Sequence, residues 1–441
     1  MVGMTTASAA PGVTADAGPV RRAARIVGVD IARCLALLGM MATHILPSVD
    51  PATGAYVPWQ QQLAGGRSAA LFAVLAGVSL ALVTGREHPF RGRRLAAARV
   101  GIALRAAVIA AIGLVLGGLD SGVAVILAYY GVLFLLALPF LGLGWRALGV
   151  LAAVWAVGAP VLSQLVRPLL PAPTYTVASL DQLVTEPHIL LAEITFTGYY
   201  PAVSWLAYVL AGLAVGRLAL GNLRVARNLA LGGAALALAT WVMSRLLTGN
   251  ADVFAILDDS LPRSAVESRF TRPPGSLDLL LAHGFFGTTP TTSWWWLTIV
   301  APHSTTPLDL LHTIGTALLV LGLALAVGSL APRVLGIVLA AGAMTLTLYS
   351  AHVVALHLEL GPERGTPSLY WLHVAAALVI GAVWRTALGQ GPLERLTASV
   401  AKLGSDSVLM LPTDHGAEEP ARSGAPTRDV EPTSDPPVRS T

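Results

Sequence analysis

Long apolar blocks, each of about 20 residues, follow one another along this chain, and each is long enough to cross the hydrocarbon core of a bilayer as a helix. Because of them 55% of the 441 residues are hydrophobic and only 12% are charged. Soluble domains have about 25% charged residues, and the strands of a membrane barrel alternate apolar and polar residues over about 10 positions. The sequence therefore predicts an all-α, polytopic membrane protein and excludes soluble, disordered and disulfide-rich classes.

The blocks predict about ten membrane-spanning helices. A signal peptide has an uninterrupted apolar stretch of about 7–15 residues, whereas the first block is longer and contains Asp30 and Arg33, so we predict that it is retained. The polar flanking segments 1–25 and 401–441 are predicted to be disordered and cytoplasmic, on either side of a transmembrane domain at 26–400. The spans are placed at 26–46, 67–84, 100–118, 122–142, 147–166, 201–218, 229–248, 308–330, 334–356 and 368–388.

Basic residues predict the orientation of these spans. If both ends of the chain are cytoplasmic, 16 basic residues fall in inner segments and only 6 in outer loops. Positive charge concentrates on the cytoplasmic side of membrane proteins, so we predict that both termini lie inside. The net charge of +4 then reflects topology, and nucleic acid is not an expected partner.

The first span carries three polar residues on one face. Asp30 lies one turn before Arg33, and His44 lies 11 positions after Arg33, a rise of about 16 Å with nearly the same direction from the helix axis. Ionisable groups inside a membrane are costly and mark functional sites. The Asp30–Arg33 pair has two interpretations: it neutralises itself and fixes packing, or it binds a substrate near the inner surface.

Two later spans carry further histidines near their outer ends. Asp309, His312 and Thr316 share one face of the eighth span, and Thr345, Tyr349 and His352 share one face of the ninth. A carboxylate one turn from a histidine can orient the ring, although an aspartate at a helix start also complements the helix dipole. We therefore expect His44, His312 and His352 at one depth, with His303 in the loop before the eighth span, as general base, proton relay or metal ligands.

A metal is the least favoured of these roles, because the histidines lack the short spacing of helical zinc sites. The single cysteine, Cys34, excludes an intrachain disulfide and a cysteine cluster. Three consecutive tryptophans, 294–296, are predicted to anchor the long outer loop 249–307 at the membrane interface. A platform for sugar stacking is their alternative role.

A family resemblance rests mainly on the first span. Residues 29–40, with Asp30 and Arg33, resemble the opening helix of the heparan-α-glucosaminide N-acetyltransferase-like membrane proteins. Residues 66–77 look like the second-helix motif of their uncharacterised bacterial relatives. Segments similar to later helices of those relatives are 128–134, 208–212 and 345–350. The resemblance covers most of 26–400.

This resemblance implies a multi-helix acyltransferase that takes acyl-CoA from the cytosol and acylates an amine or hydroxyl, often of a sugar, on the far side. Two departures matter. Cys34 stands where the eukaryotic enzymes have glycine, and the loop 48–66, where their catalytic histidine precedes a tryptophan, has Trp59 but no histidine. His44 is the nearest candidate, by place and chemistry.

We therefore predict an acyltransferase of the plasma membrane, with acyl-CoA, expected to be acetyl-CoA, as donor and a sugar or lipid-linked glycan at the outer face as acceptor. The inner loop 86–99, rich in arginine, is predicted to attract the donor's phosphates or lipid headgroups. Membrane lipids are further partners, no metal cofactor is expected, and a homodimer is left open. The predicted catalytic residues are His44, Asp309, His312 and His352, and the predicted donor-binding residues are Asp30, Arg33, Arg67 and Ser68.

Two alternative functions belong to other classes. A proton-coupled transporter or flippase for a lipid or sugar would use Asp30, Arg33 and the histidines as a proton relay. A structural or assembly protein is less favoured, because it would not need polar stripes inside its spans.

Overall fold

The computed structural model describes residues 25–47, 59–261 and 276–410. Within those ranges every regular element is a helix and no strand occurs, which confirms the all-α class. The α-helices are α1 (Val27–Ile45), α2 (Trp59–Ala64), α3 (Arg67–Val83), α4 (Gly92–Gly117), α5 (Leu127–Ala137), α6 (Trp145–Val166), α7 (Leu180–Thr185), α8 (Pro187–Ala192), α9 (Ala202–Gly216), α10 (Leu223–Thr248), α11 (Ala251–Asp259), α12 (Ser276–His283), α13 (Pro307–Leu330), α14 (Pro332–Val338), α15 (Thr345–His357), α16 (Pro367–Ala387) and α17 (Pro392–Met410).

Within the described residues, seven helical segments are long and apolar enough to span a membrane, and they contain α1, α3, α4, α6, α10, α13 and α16. An eighth forms if α8, a π-helical turn at Glu193–Thr197 and α9 count as one span, which is bent by 48°. The chain is thus a multi-pass membrane protein. The count of ten spans and the cytoplasmic placement of both termini stay predictions.

The predicted ninth span is not one helix. It is divided into α14, a 3₁₀ turn at Ala340–Ala343 and α15. The turn is pressed against α1, where a Cβ atom at Gly342 would lie 1.8 Å from the carbonyl oxygen of Asp30. The prediction of a continuous helix over 334–356 was wrong, because periodicity does not reveal how closely two backbones approach.

The break places a second helix N-terminus inside the bundle, and Glu394 caps it. Glu394 Oε1 accepts hydrogen bonds from the backbone N–H groups of Leu346 (2.7 Å) and Thr347 (3.1 Å), and Oε2 accepts from the Thr347 hydroxyl (2.6 Å). Free N–H groups at membrane depth need such partners, and a carboxylate also complements the positive end of the helix dipole. Glu394 lies in the first turn of α17, so the cap ties α15 to α17.

The last helix, α17, passes residue 400 and ends at Met410. It packs on α4: Arg93 donates hydrogen bonds to the carbonyl oxygens of Val408 (3.1 Å) and Leu409 (2.8 Å), and the Ser405 hydroxyl donates to Ala97 O (3.1 Å). The expected tail at 401–441 therefore begins as a packed helix. Residues 1–24 and 411–441 lie outside the described residues.

Small residues set the spacing of the central helices. A Cβ atom at Gly212 of α9 would lie 1.9 Å from Val74 O of α3, and one at Gly77 of α3 would lie 2.2 Å from Val209 O of α9. Backbones approach this closely only where side chains are absent, as is common between membrane helices. This packing makes α3 and α9 a rigid frame beside α1.

The loop 249–307, which is predicted to be an outer loop, forms a small core of its own in its described part. Trp296 is fully buried there, and its Nε1 donates to the Ser260 hydroxyl (3.0 Å). Trp294 and Trp295 stay 56% and 36% exposed. The prediction that all three tryptophans form one interfacial anchor was wrong for Trp296, because the chain folds back over it.

At the opposite end of the bundle, Arg217 joins three chain segments. Its buried guanidinium donates to the carbonyl oxygens of Ala81 (3.0 Å), Thr84 (3.2 Å), Arg86 (2.9 Å) and Leu141 (2.6 Å), and to the Thr84 hydroxyl (2.9 Å). The sequence analysis counted this arginine only as a topology signal. The contacts give it a structural role at the ends of α3, α5 and α9.

Candidate active site

Three histidines from three helices form a continuous chain. His44, in the last turn of α1, contacts His352 of α15, with His44 Nδ1 3.2 Å from His352 Nε2. His352 Nδ1 lies 2.9 Å from His373 Nδ1 on α16. The first two rings are stacked and the last two are perpendicular. The structure thus brings together the predicted residues His44 and His352 and adds a third residue that the sequence analysis missed.

Each nitrogen-to-nitrogen contact in this chain needs one N–H group and one lone pair, and a neutral imidazole supplies one of each. If His44 Nδ1–H donates to His352, then His352 Nδ1–H donates to His373, and His44 Nε2 is left as a free base. The reverse set of tautomers fits the same positions. When a proton is taken up at His44, another can therefore leave from His373, once both hydrogen bonds between the rings have reversed their direction.

The loop between α15 and α16 fixes the end of α1 that carries His44. Arg364 donates to the carbonyl oxygens of Ser121 (2.6 Å), Gly122 (3.3 Å) and His44 (3.1 Å). Tyr349, one turn before His352, meets the His44 ring edge-on at 6.3 Å between centroids. Arg364 thus fixes the backbone at His44, and Tyr349 packs near its ring.

His303 lies in the loop before α13, close to this site. Its ring meets that of Tyr200 at 5.7 Å, and burial lowers the pKa of His303 to about 4. It is therefore neutral at pH 7. A Cβ atom at Gly66 would lie 3.0 Å from the backbone nitrogen of His303, so this loop packs on the turn before α3.

His312 lies in a different set of contacts. Its Nδ1 is 2.9 Å from the carbonyl oxygen of Ala237, which can only accept, so Nδ1 carries the proton. The lone pair of Nε2 then accepts from Arg67 Nη2 at 3.1 Å. Both ring nitrogens are occupied, and the expected convergence of His312 with the other two histidines does not occur as a direct contact.

Asp309 does not orient the His312 ring. Its carboxylate accepts a hydrogen bond from the backbone N–H of Thr305 (3.1 Å), while its own N–H donates to the Thr306 hydroxyl (3.1 Å). These are the bonds of a residue at the start of a helix, which was the structural alternative in the sequence analysis. The prediction that this carboxylate positions the imidazole was wrong, since a neighbouring backbone takes its hydrogen bond.

The predicted donor-binding residues fall in two places. Asp30 accepts from Arg25 and, at 3.5 Å, from Arg33, which also donates to the Ser79 hydroxyl. Ser68 instead packs against Gly39 in the half of α1 that ends at His44, and Arg67 meets His312. Asp30 and His44 are 14 residues apart, a rise of about 21 Å. The four residues therefore do not share one site.

A cavity of about 320 Å³ lies beside the Arg25–Asp30 pair, at the end of the bundle that is predicted to be the inner one. It also adjoins the loop between α3 and α4 that was predicted to attract phosphates. Its wall combines two arginines, Arg25 and Arg86, with one carboxylate, Glu87, and with close-packed glycines such as Gly28. Arginine pairs well with phosphate oxygens, so the cavity suits a phosphate-bearing ligand.

His373 and Arg105 are two ionisable residues inside spans to which the sequence analysis gave no role. Neither has a charged residue or a histidine at helical spacing within its predicted span. The signal was present nonetheless, because any ionisable residue inside a span is a candidate. Arg105 Nε is buried and has no hydrogen-bond partner among the described residues.

In the ranges 25–47, 59–261 and 276–410, no group of three histidine, cysteine, aspartate or glutamate side chains is arranged to hold a metal ion. The sequence model of the family described as "Heparan-alpha-glucosaminide N-acetyltransferase, catalytic" matches residues 25–248, just over half of the chain. The match includes α1, α3 and α10, and so Asp30, Arg33 and His44. It ends before His352 and His373. No curated protein matches the chain.

Proposed function

The chain belongs to the heparan-alpha-glucosaminide N-acetyltransferase catalytic family, and from that membership we propose that it transfers an acyl group from cytoplasmic acyl-CoA to an amine or hydroxyl at the outer face. The observation that carries the proposal is the contact between His44 and His352. It brings a basic nitrogen to the last turn of α1, a helix that the family model matches, within a chain that can move a proton. We propose that this end of α1 faces outward.

In the proposed reaction His44 Nε2 takes the proton of the acceptor N–H or O–H group as that atom attacks the thioester carbonyl. The C–S bond breaks, a C–N or C–O bond forms, and the CoA thiolate takes up one proton. His352 and His373 keep the His44 ring in the tautomer that has a free Nε2 lone pair. They also spread the positive charge that develops on the imidazole.

The donor is proposed to bind from the inner end. Its phosphates would meet Arg25 and Arg86 at the 320 Å³ cavity. Arg33, which donates hydrogen bonds to Asp30 and Ser79, would lie on the proposed path of the donor from this cavity toward His44. Glu87 also lines the cavity, so two carboxylates, Asp30 and Glu87, face the three arginines of this region. The net positive charge favours an anionic donor. The plasma membrane and acetyl-CoA remain the proposed location and donor.

The first prediction concerns the orientation. In a Cys34→Ala background, a membrane-impermeant thiol reagent should label Arg91→Cys only from the cytoplasmic side and Asp252→Cys only from the outside. Both residues are exposed at opposite ends of the intervening spans. Labelling of both positions from one side would exclude the proposed topology and, with it, the inner donor site.

The second prediction concerns donor binding. Arg25→Gln should weaken CoA binding about tenfold or more, because a hydrogen bond to a charged group contributes about 1.5–3 kcal/mol. Asp30 keeps Arg33 as its partner in this variant. Arg224→Gln is the matched control, since Arg224 is exposed at the start of α10. Equal calorimetric affinities for CoA in both variants would exclude donor binding at the inner cavity.

The function itself is tested with protein purified into lipid nanodiscs, where no gradient exists. CoA release from acetyl-CoA is measured against a panel of amino sugars and lipid alcohols and amines. Acceptor-dependent release supports the transferase. Its absence, together with proton-driven uptake in sealed vesicles, would favour the second candidate, a transporter or flippase, for which the three-histidine chain would serve as the proton relay.

A further inference from the structure

Two cavities meet beside the three-histidine chain, and they differ in polarity. The first is an apolar groove of about 290 Å³ between α1, α15 and α16, with Met41, Leu348, Ala376, His352 and His373 in its wall. The two histidines are its ionisable lining residues. The second cavity, of about 380 Å³, lies at the outer ends of these helices. Ala355 and Leu360 line both, so the two cavities are adjacent.

The outer cavity is acidic. Asp120, Glu359 and Glu363 contribute three carboxylates, and none of them makes an ion pair within the described ranges. Arg364 also lines it, but its guanidinium is committed to the carbonyl oxygens of Ser121, Gly122 and His44. The cavity therefore favours a cationic group, and Arg364 joins its wall to the helix end that carries His44.

The apolar groove opens toward lipid. Its rim residues Leu360, Leu372 and Ile380 are 56%, 47% and 45% exposed on helices of a membrane-spanning bundle, so hydrocarbon is the medium outside. His373 is only 9% exposed, and its Nε2 has no hydrogen bond within the described ranges. An unpaired polar nitrogen thus lies at the edge of a groove that otherwise suits an alkyl chain.

We propose that the acyl acceptor is an amphiphile with a primary amine as its headgroup, and that it enters sideways from the bilayer. The carboxylates of the acidic cavity hold the headgroup as an ammonium, and the apolar groove holds the chain. This inference rests on the proposed transferase function. In the transfer the amine loses its protons to the histidine chain and to solvent, the C–N bond forms, and the CoA thiolate leaves and is protonated.

The test uses two alanines that are neighbours on α16 and are both exposed. Ala376 lines the groove and Ala375 does not. In nanodiscs, Ala376→Phe should lower kcat/KM for dodecylamine about tenfold or more relative to Ala375→Phe, because the ring fills the groove. The ratio of kcat/KM for dodecylamine to kcat/KM for propylamine should fall in Ala376→Phe and stay at the wild-type value in Ala375→Phe. Equal values for dodecylamine would overturn the groove assignment while leaving the transferase intact.

Binding is measured separately from activity, with a dodecylamine that carries a photoreactive diazirine at the end of its chain. Mass spectrometry should locate the label on α15 and α16 in the wild-type chain, and Ala376→Phe should remove it. Glu363→Gln should reduce labelling by the amine probe but not by the corresponding alcohol. Labelling without any CoA release would contradict the transferase and retain the groove, whereas release without labelling there would overturn the groove.

Discussion

Replacing His44 with alanine is expected to lower acyl transfer by about 10²–10⁴-fold, the usual contribution of a general base. The reason is that His44 Nε2 is the basic atom placed at the proposed reaction centre, while its Nδ1 is used in the contact with His352. Expression and CoA affinity should stay near the wild-type values, because the inner cavity lies at the other end of α1. The measurement is single-turnover transfer alongside calorimetric CoA binding.

The matched control is His188→Ala, an exposed histidine of α8 that lies outside the site. His352→Ala should lose less activity than His44→Ala, since in the proposed reaction His352 orients the base and does not itself take the proton of the acceptor. His312→Ala should affect stability more than chemistry, because both nitrogens of His312 are used by Ala237 and Arg67. Full activity in His44→Ala with loss of activity in His312→Ala would move the active centre to α13.

Replacing Arg217 with methionine is expected to reduce the free energy of unfolding by about 3 kcal/mol or more. Methionine keeps much of the side-chain volume but leaves the carbonyl oxygens of Ala81, Thr84, Arg86 and Leu141 without their buried donor. The midpoint of thermal unfolding in detergent is the readout. The unfolding midpoint of Arg217→Lys should lie between those of the wild type and Arg217→Met, because an ammonium has three N–H groups in place of five.

Arg224→Met serves as the comparison, because it removes the same charge from an exposed position at the start of α10. Its free energy of unfolding should change by no more than about 0.5 kcal/mol, which is the range of ordinary surface substitutions. If Arg217→Met unfolds at the same temperature as Arg224→Met, the joint between α3, α5 and α9 does not depend on this guanidinium.

The sequence alone was enough for the class of the protein and for most of its helices. The length of the apolar segments determines both. A bilayer accepts only segments whose backbone N–H and C=O groups are hydrogen-bonded within the protein, and a helix forms these bonds within its own sequence. The same local rule placed Asp30, Arg33 and His44 on one face of α1. The opening motif around Asp30 and Arg33 also indicated the family that the comparison then showed.

Contacts between distant segments decided the rest. The 3₁₀ turn at Ala340–Ala343 exists because α1 passes too close for a regular helix, and its cap comes from Glu394, 49 positions after Thr345. Helical periodicity gives the direction of a side chain from its own axis, but it carries no information about which helix faces that side.

For the same reason the histidines were separated only by the fold. His44 and His312 both lie near the ends of their spans that are predicted to be outer. Packing nevertheless gives His44 a histidine as its partner and gives His312 an arginine and a carbonyl oxygen. His373 belongs to the three-histidine chain because the rotation of α16 about its own axis turns this residue toward His352. That rotation depends on close contacts such as the one between Gly381 and Ala341, where a Cβ atom would lie 2.6 Å from a backbone nitrogen. Such contacts are a property of the assembled bundle, since each helix alone satisfies its backbone hydrogen bonds in any rotation.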